Sequence, residues 1–191
     1  MLFRSRYLQA QSEHAQELLD FISSRFSSPT LCGLLLGKAA RAREKGVELV
    51  FDPGCRMSRP AHLLVEAELI SIIGNLLDNA IEATQRARLP HEPVEVLILQ
   101  NERELIIEVA DRGVGIDPSI RDRIFDRGMT TKRNGDHGIG LYLISSYVTQ
   151  VGGTIEVSDN APRGTIFSLF IPETGQILRP APTLEDQNYA T

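Results

Sequence analysis

Within NLLDNAIEA two amides and a carboxylate recur at helical spacing: Asn75, Asn79 and Glu82 stand at i, i+4 and i+7. They share one side of a helix, rotated away from the apolar stripe of Leu69, Ile73, Leu76 and Ala80. A polar ridge beside an apolar one faces either solvent or a polar ligand. Asp111 opens DRGVGID directly after the apolar run LIIEVA. A carboxylate at a strand end can accept a hydrogen bond from a ligand amino group, and Gly113 and Gly115 free the backbone to turn sharply or to approach a ligand closely. In GDHGIGLYL, Gly138 and Gly140 lead into an apolar helix, whose unpaired N–H groups and positive dipole end suit an anion, phosphate above all. Thr165 follows Gly164 with a hydroxyl free to hydrogen-bond. Between the glycine motifs lies RIFDRGMTTKR, and over residues 112 to 137 Arg112, Arg121, Arg123, Arg127, Lys132 and Arg133 outnumber Asp117, Asp122, Asp126 and Asp136 by six to four. A locally positive loop in an acidic chain suits a polyphosphate. Taken singly, each feature has an ordinary reading as solvated helix face, strand-exit turn, flexible helix entry or surface charge.

The elements that must position these groups follow from periodicity and turn chemistry. Residues 2 to 26 form an amphipathic helix, with Phe3, Tyr7, Ala10, Leu18, Phe21 and Ile22 near one face. Ser28 caps a second helix with Pro29 at its first position, and Gly46 closes it after Lys45. GVELVFDPG reads as a strand from 46 to 54, and a buried helix runs from Glu66 to Arg86. VEVLILQ and LIIEVAD form a hairpin around the polar residues 101 to 104. Residues 112 to 137 carry no clear period; so long a loop in a compact domain is functional or disordered. A helix from Gly138 to Val151 ends on Gly152 and Gly153, and TIEVS and GTIFSLFIP are strands around the turn at 160 to 163. The sum is an α+β fold, a two-layer sandwich with a mixed sheet of about five strands, helices on one face and an N-terminal helical appendage.

At 191 residues the chain fits one core rather than two. A hydrophobic content of 42%, a charged content of 24% and a net charge of -5 describe a globular protein without a basic footprint, so no nucleic acid is expected as partner. Cys32 and Cys55 form no CxxC pair, which argues against a zinc site or a disulfide framework and fits a reducing cytoplasm. No apolar run reaches the roughly 18 residues of a membrane span, and no signal-peptide pattern opens the chain.

In order, NLLDNAIEA, DRGVGID, RIFDRGMTTK, GDHGIGLYL and GT resemble the N, G1, F, G2 and G3 boxes of the gyrase, heat-shock chaperone Hsp90, histidine kinase and MutL superfamily of ATP-binding domains, over about residues 60 to 172. Five short motifs in this order on the expected elements form a specific signature. Within the superfamily the chain is similar to sensor histidine kinases of the citrate and C4-dicarboxylate type, whose lids carry a similar IFxRGxxTK pattern; TLCGLLLGKAARAREKGVEL adds to the likeness. The resemblance implies a helical remnant of a dimerisation region over 1–27, an ATP-binding catalytic domain over 28–172 with a lid at 112–137, and a mobile tail over 173–191.

It also implies roles. Asn79 would bind Mg2+, with Asn75 on the phosphate side. Asp111 would accept the adenine amino group, Gly113, Gly115 and Ile116 would close around the base, and Thr165 would support it. Gly138, Ile139, Gly140 and Leu141 would bring helix N-terminal N–H groups to the phosphates of ATP, and Lys132 would neutralise the phosphate end. Asn75, Asn79 and Lys132 would be the catalytic residues. The hydrolytic branches place a glutamate where Asn75 stands, and an amide is no general base, so phosphate would be kept for transfer and a true ATPase is disfavoured. The phosphoacceptor histidine box is absent: His14, His62, His91 and His137 all lack its context, and His14 reads as a packed or solvated side chain on the first helix. Met129 stands where relatives often carry an aromatic. The implied partners are ATP or ADP, the histidine-containing dimerisation domain of a parent kinase anchored in the inner membrane, a response regulator downstream, and a second copy through the N-terminal helix. A nucleotide-gated interaction module without phosphotransfer is the alternative.

Overall fold

The computed structural model describes residues 2–87, 92–129 and 138–175. Helix α1 spans Leu2–Arg25 and α2 spans Pro29–Glu44. The junction follows the local chemistry: Ser28 Oγ accepts from Leu31 N at 3.0 Å and Pro29 occupies the first turn, where its missing N–H costs nothing. The same hydroxyl donates to Glu66, which joins the start of α2 to the first turn of α3, Glu66–Ala87. Farther along both helices, Lys38 meets Asp78 at 2.6 Å and fixes the crossing of α2 over α3.

The strands β1 (Glu48–Phe51), β2 (Pro93–Gln100), β3 (Glu104–Ala110), β4 (Thr154–Asp159) and β5 (Thr165–Pro172) form one sheet in the order β1-β2-β3-β5-β4. Only β1 pairs in parallel, with β2; the other ladders are antiparallel. The sheet is therefore mixed and five-stranded, as expected. Alternation assigns its faces: Ile98, Ile107, Leu169 and Ile155 stand in one cross-strand row toward the helices, while Leu99, Ile106, Phe170 and Thr154 stand in the row on the other face. From α3, Ile72, Ile73, Leu77 and Ile81 are completely or almost completely buried against that core. Each such side chain stabilises the fold by about 1.5–3 kcal/mol relative to exposure.

Four local expectations are revised. The strand expected over 46 to 54 is only four residues long, because Asp52 Oδ1 accepts from Gly54 N at 2.6 Å and turns the chain. Helix α4 spans Gly140–Gln150 and begins later than Gly138, whose φ of +59° is incompatible with a right-handed helix. The loop from 112 holds a 3₁₀ helix, η1 (Pro118–Arg123), capped by Asp117 Oδ1, which accepts from Ser119 N at 2.8 Å and holds its own carboxyl below the usual range. So short a 3₁₀ turn has no period to read. Glu173 is no part of a loose tail: it is 3% exposed, accepts from Gln100 Nε2 at 3.0 Å and pairs with Arg59 at 3.4 Å. The core also crosses the boundary expected at residue 27, since Ile22 and Phe26 are buried in it. The tail from Gln176 on, His91, His137 and the His14 side chain lie outside the described residues and side chains.

Candidate functional site

A cleft of about 660 Å3 opens between α3, the loop after β3, η1, the start of α4 and the end of the sheet at β5. Successive turns of α3 supply its floor. Asn79, Glu82, Ala83 and Arg86 lie along it, the continuation of the polar ridge read from the sequence. The opposite wall is apolar, with Ile116, Pro118, Ile120 and Ile124, and Thr165 and Phe167 close the deep end with Asp111. A mostly apolar cleft with a few converging polar groups is the form of a small-molecule site.

Asp111 is 3% exposed and its Oδ1 accepts from Gly113 N at 2.7 Å. Burial pushes its carboxyl up to about 6, while hydrogen bonds from the backbone of Gly113 and Thr165 pull it back down. A carboxyl held this way is a buried acceptor in the lining of the cleft. The glycines around it are there for close approach. A Cβ on Gly113 would stand 2.4 Å from the carbonyl carbon of Ala83, so the turn after β3 can lie on α3 only without a side chain. A Cβ on Gly164, at φ +116°, would stand 2.0 Å from the Asp111 carbonyl oxygen.

At the other end, α4 starts without a side-chain cap: its N-cap is Ile139, and Leu141 in the first turn lines the cleft. The first N–H groups of the helix therefore have no intrahelical partner and offer an anion site beside Asn79. Gly138 packs against the loop, where a Cβ would meet Met129 O at 2.4 Å.

The structure thus brings Asn79, Asp111, Gly115, Ile116, Leu141 and Thr165 to one cavity. Gly113 and Gly138 shape it from behind, and Ile139 turns outward, 39% exposed. Asn75 does not line the cavity. Its Nδ2 donates to Ser71 O at 2.8 Å, and its Oδ1 lies 2.6 Å from where a Cβ of Gly140 would be, so it supports the α3–α4 crossing. Lys132 lies outside the described residues. Sequence reasoning missed Ala83, Arg86, Pro118, Ile120, Ile124 and Phe167 as wall residues. Extending the ridge beyond Glu82 at helical spacing would have found Arg86, and the strand period of two from Thr165 would have found Phe167. Among the described residues no cluster of three or more His, Cys, Asp or Glu could hold a metal ion. Among them, too, no helix is long and apolar enough to cross a membrane.

The chain is similar to known proteins. Residues 64–175 match the family described as histidine kinase-, DNA gyrase B-, and HSP90-like ATPase. The chain is 51% identical over 180 residues to the sensor histidine kinase CitA of Klebsiella pneumoniae, covering 91% of this chain and 33% of that one. It is 44% identical over 168 residues to the sensor histidine kinase DpiB of Escherichia coli, covering 87% of this chain and 30% of that one. It therefore spans about a third of the length of these relatives. Among solved structures, full-length ShkA in complex with AMPPNP matches with a TM-score of 0.59 at 24% identity, over 88% of this chain and 38% of that one, and the mycobacterial sensor histidine kinase MprB with 0.54 at 22%, over 74% and 95%; at such identities the likeness is one of fold. Sequence and architecture agree: the chain belongs to the histidine kinase-, DNA gyrase B- and HSP90-like ATPase family and carries the ATPase domain of a sensor histidine kinase.

Proposed function

We propose that this domain binds MgATP in the cleft and donates its γ-phosphate to a histidine on the dimerisation domain of a parent kinase, from which a response regulator receives it. The observation that carries the reading is the placement, in one cleft, of a buried carboxyl acceptor at one end and an uncapped helix N-terminus beside Asn79 at the other. The first suits the amino group of adenine and the second suits phosphates.

In this reading the Asp111 carboxylate accepts from the base, Gly115 and Ile116 close over it, and Thr165 stands at its edge. Asn79 supplies a side-chain oxygen to Mg2+, which neutralises phosphate charge, and the amides at Gly140 and Leu141 donate to the phosphates. Lys132 is proposed to add positive charge there. Asn75 acts through another group: by seating Gly140 it sets the angle at which the first turn of α4 meets the phosphates. With an amide at position 75, hydrogen-bonded to Ser71, no carboxylate one turn before Asn79 can activate water, which favours transfer over hydrolysis. The domain's contribution is then positioning and charge neutralisation. We place it on the cytoplasmic side of an inner-membrane-anchored parent, where ATP is available, with pairing to a second copy through α1.

The test is single-turnover transfer from labelled ATP to a separately supplied histidine-bearing dimerisation domain. Acid-labile phosphate should appear on the acceptor and not on this chain. Release of inorganic phosphate at the same rate with and without acceptor would overturn the transfer reading and leave an ATPase; tight ATP binding without either product would leave a nucleotide-gated interaction module.

A further inference from the structure

The tip of the β4–β5 hairpin, residues 157 to 164, lines no part of the cleft. Yet both loops that build the base end of the cleft are fastened to it. Asn160 Nδ2 donates to the main-chain oxygen of Asp111 at 2.9 Å, while the Asn160 N–H donates to Gly164 O at 3.1 Å. Arg112 donates to Ala161 O at 3.1 Å and pairs with Glu92 at 3.5 Å. From η1, Arg121 meets Asp159 Oδ1 at 3.0 Å and Oδ2 at 3.2 Å, and donates to Val157 O at 3.3 Å. Pro118 and Ile120 of η1, and Ile124 just after it, line the same cleft as Asp111.

These are surface contacts: the Arg121 side chain is 31% exposed and that of Asp159 is 73% exposed. An exposed ion pair adds little to stability, but a guanidinium held by both oxygens of one carboxylate and by a carbonyl has its orientation fixed. Such contacts steer geometry more than they hold the fold together. We infer that the hairpin tip is the positioning element of the base end of the nucleotide cleft, with Asn160 and Arg121 as its positioning residues. Asn160 sets the main chain that carries the Asp111 carboxyl, and Arg121 sets the distance of the η1 wall from it. The inference rests on the nucleotide reading above.

A selectivity measurement tests it with the full chain, by comparing ATP with inosine triphosphate, which keeps the phosphates and ribose but lacks the amino group. Arg121→Ala and Asn160→Ala should each bind ATP about three- to fivefold more weakly, the factor expected from a misdirected hydrogen bond, and lower the preference for ATP over inosine triphosphate by the same factor. Their melting temperatures should stay near that of the unsubstituted chain. Exchanging the charges, Arg121→Asp together with Asp159→Arg, should restore most of the preference lost by Arg121→Asp alone. If both variants bind the two nucleotides with the preference unchanged, or weaken them equally, the hairpin is only structural and the inference is overturned. A different result marks failure of the underlying reading: no ATP binding by the unsubstituted chain, or no preference for ATP over inosine triphosphate, removes the base site and this inference with it.

Discussion

With almost all of its surface covered, the Asp111 carboxyl loses most of its hydration, and the neutral acid is favoured until about pH 6. Since the folded pKa stands above its ordinary 3.8, its stabilising contribution is complete below the unfolded value and is lost as pH rises through about 6. The loss is on the order of 3 kcal/mol. Affinity should move the opposite way, because the ionised carboxylate is the better acceptor for an amino group. Asp111→Asn keeps the shape and the acceptor for Gly113 N while removing the charge. It should flatten the pH dependence of stability between about pH 4 and 6, raise stability at about pH 7, and weaken ATP and ADP roughly 5- to 150-fold. Urea unfolding and calorimetric titration across that range check it; an unaltered stability slope in the variant would show that some other group titrates. Asn79→Ala has another signature. Its loss of ATP affinity should be large with Mg2+ and small without it, in parallel titrations, whereas the effect of Asp111→Asn should not depend on the metal.

Elements meet at glycines, and the kind of atom each glycine faces determines what a methyl group there would do. At Gly113 the obstacle is the backbone of Ala83, which cannot move without shifting α3. Gly113→Ala should therefore destabilise the domain by about 1–3 kcal/mol and abolish nucleotide-induced stabilisation, as read by thermal melting with and without ATP. At Gly140 the obstacle is the Asn75 side chain, which can rotate away. Gly140→Ala should leave the melting temperature near its original value while slowing phosphotransfer to a supplied acceptor. The double variant with Asn75→Ala should be no slower than the slower single one, because both changes act on the same contact. Equal destabilisation by the two alanines would contradict this division.

Across the whole molecule, the end of the last described strand is locked to the turn between β2 and β3. Glu173 N donates to Arg103 O at 2.8 Å, and its carboxylate takes Gln100 Nε2 and Arg59. Glu173→Ala should cost about 1–3 kcal/mol by leaving the buried Gln100 amide short of an acceptor, and Glu173→Gln should cost less, since an acceptor remains. Chemical denaturation of the two variants separates them. ATP affinity should survive both, because the Glu173 cluster contributes nothing to the cleft wall.

Much of this was legible in the residues alone. Ser28 with Pro29, the apolar stripe of α3, the alternation in β2, β3 and β5, and Asn101, whose Oδ1 takes the N–H groups of Arg103 and Glu104 at 2.7 and 2.9 Å, are local signals, set by backbone geometry within a few residues. So was the ordered set of motifs that brought Asn79, Asp111 and Thr165 forward. The tertiary structure alone decided that β1 lies parallel to β2, that β5 enters between β3 and β4, and that Glu173 belongs to the core. It decided, too, that Asn75 serves the α3–α4 crossing while Ala83, Arg86 and Phe167 line the cleft. The reason is physical: periodicity records which face of an element is apolar, whereas the approach of Gly164 to Asp111, or of Gly113 to Ala83, depends on segments far apart in the chain being packed to within a methyl group of one another.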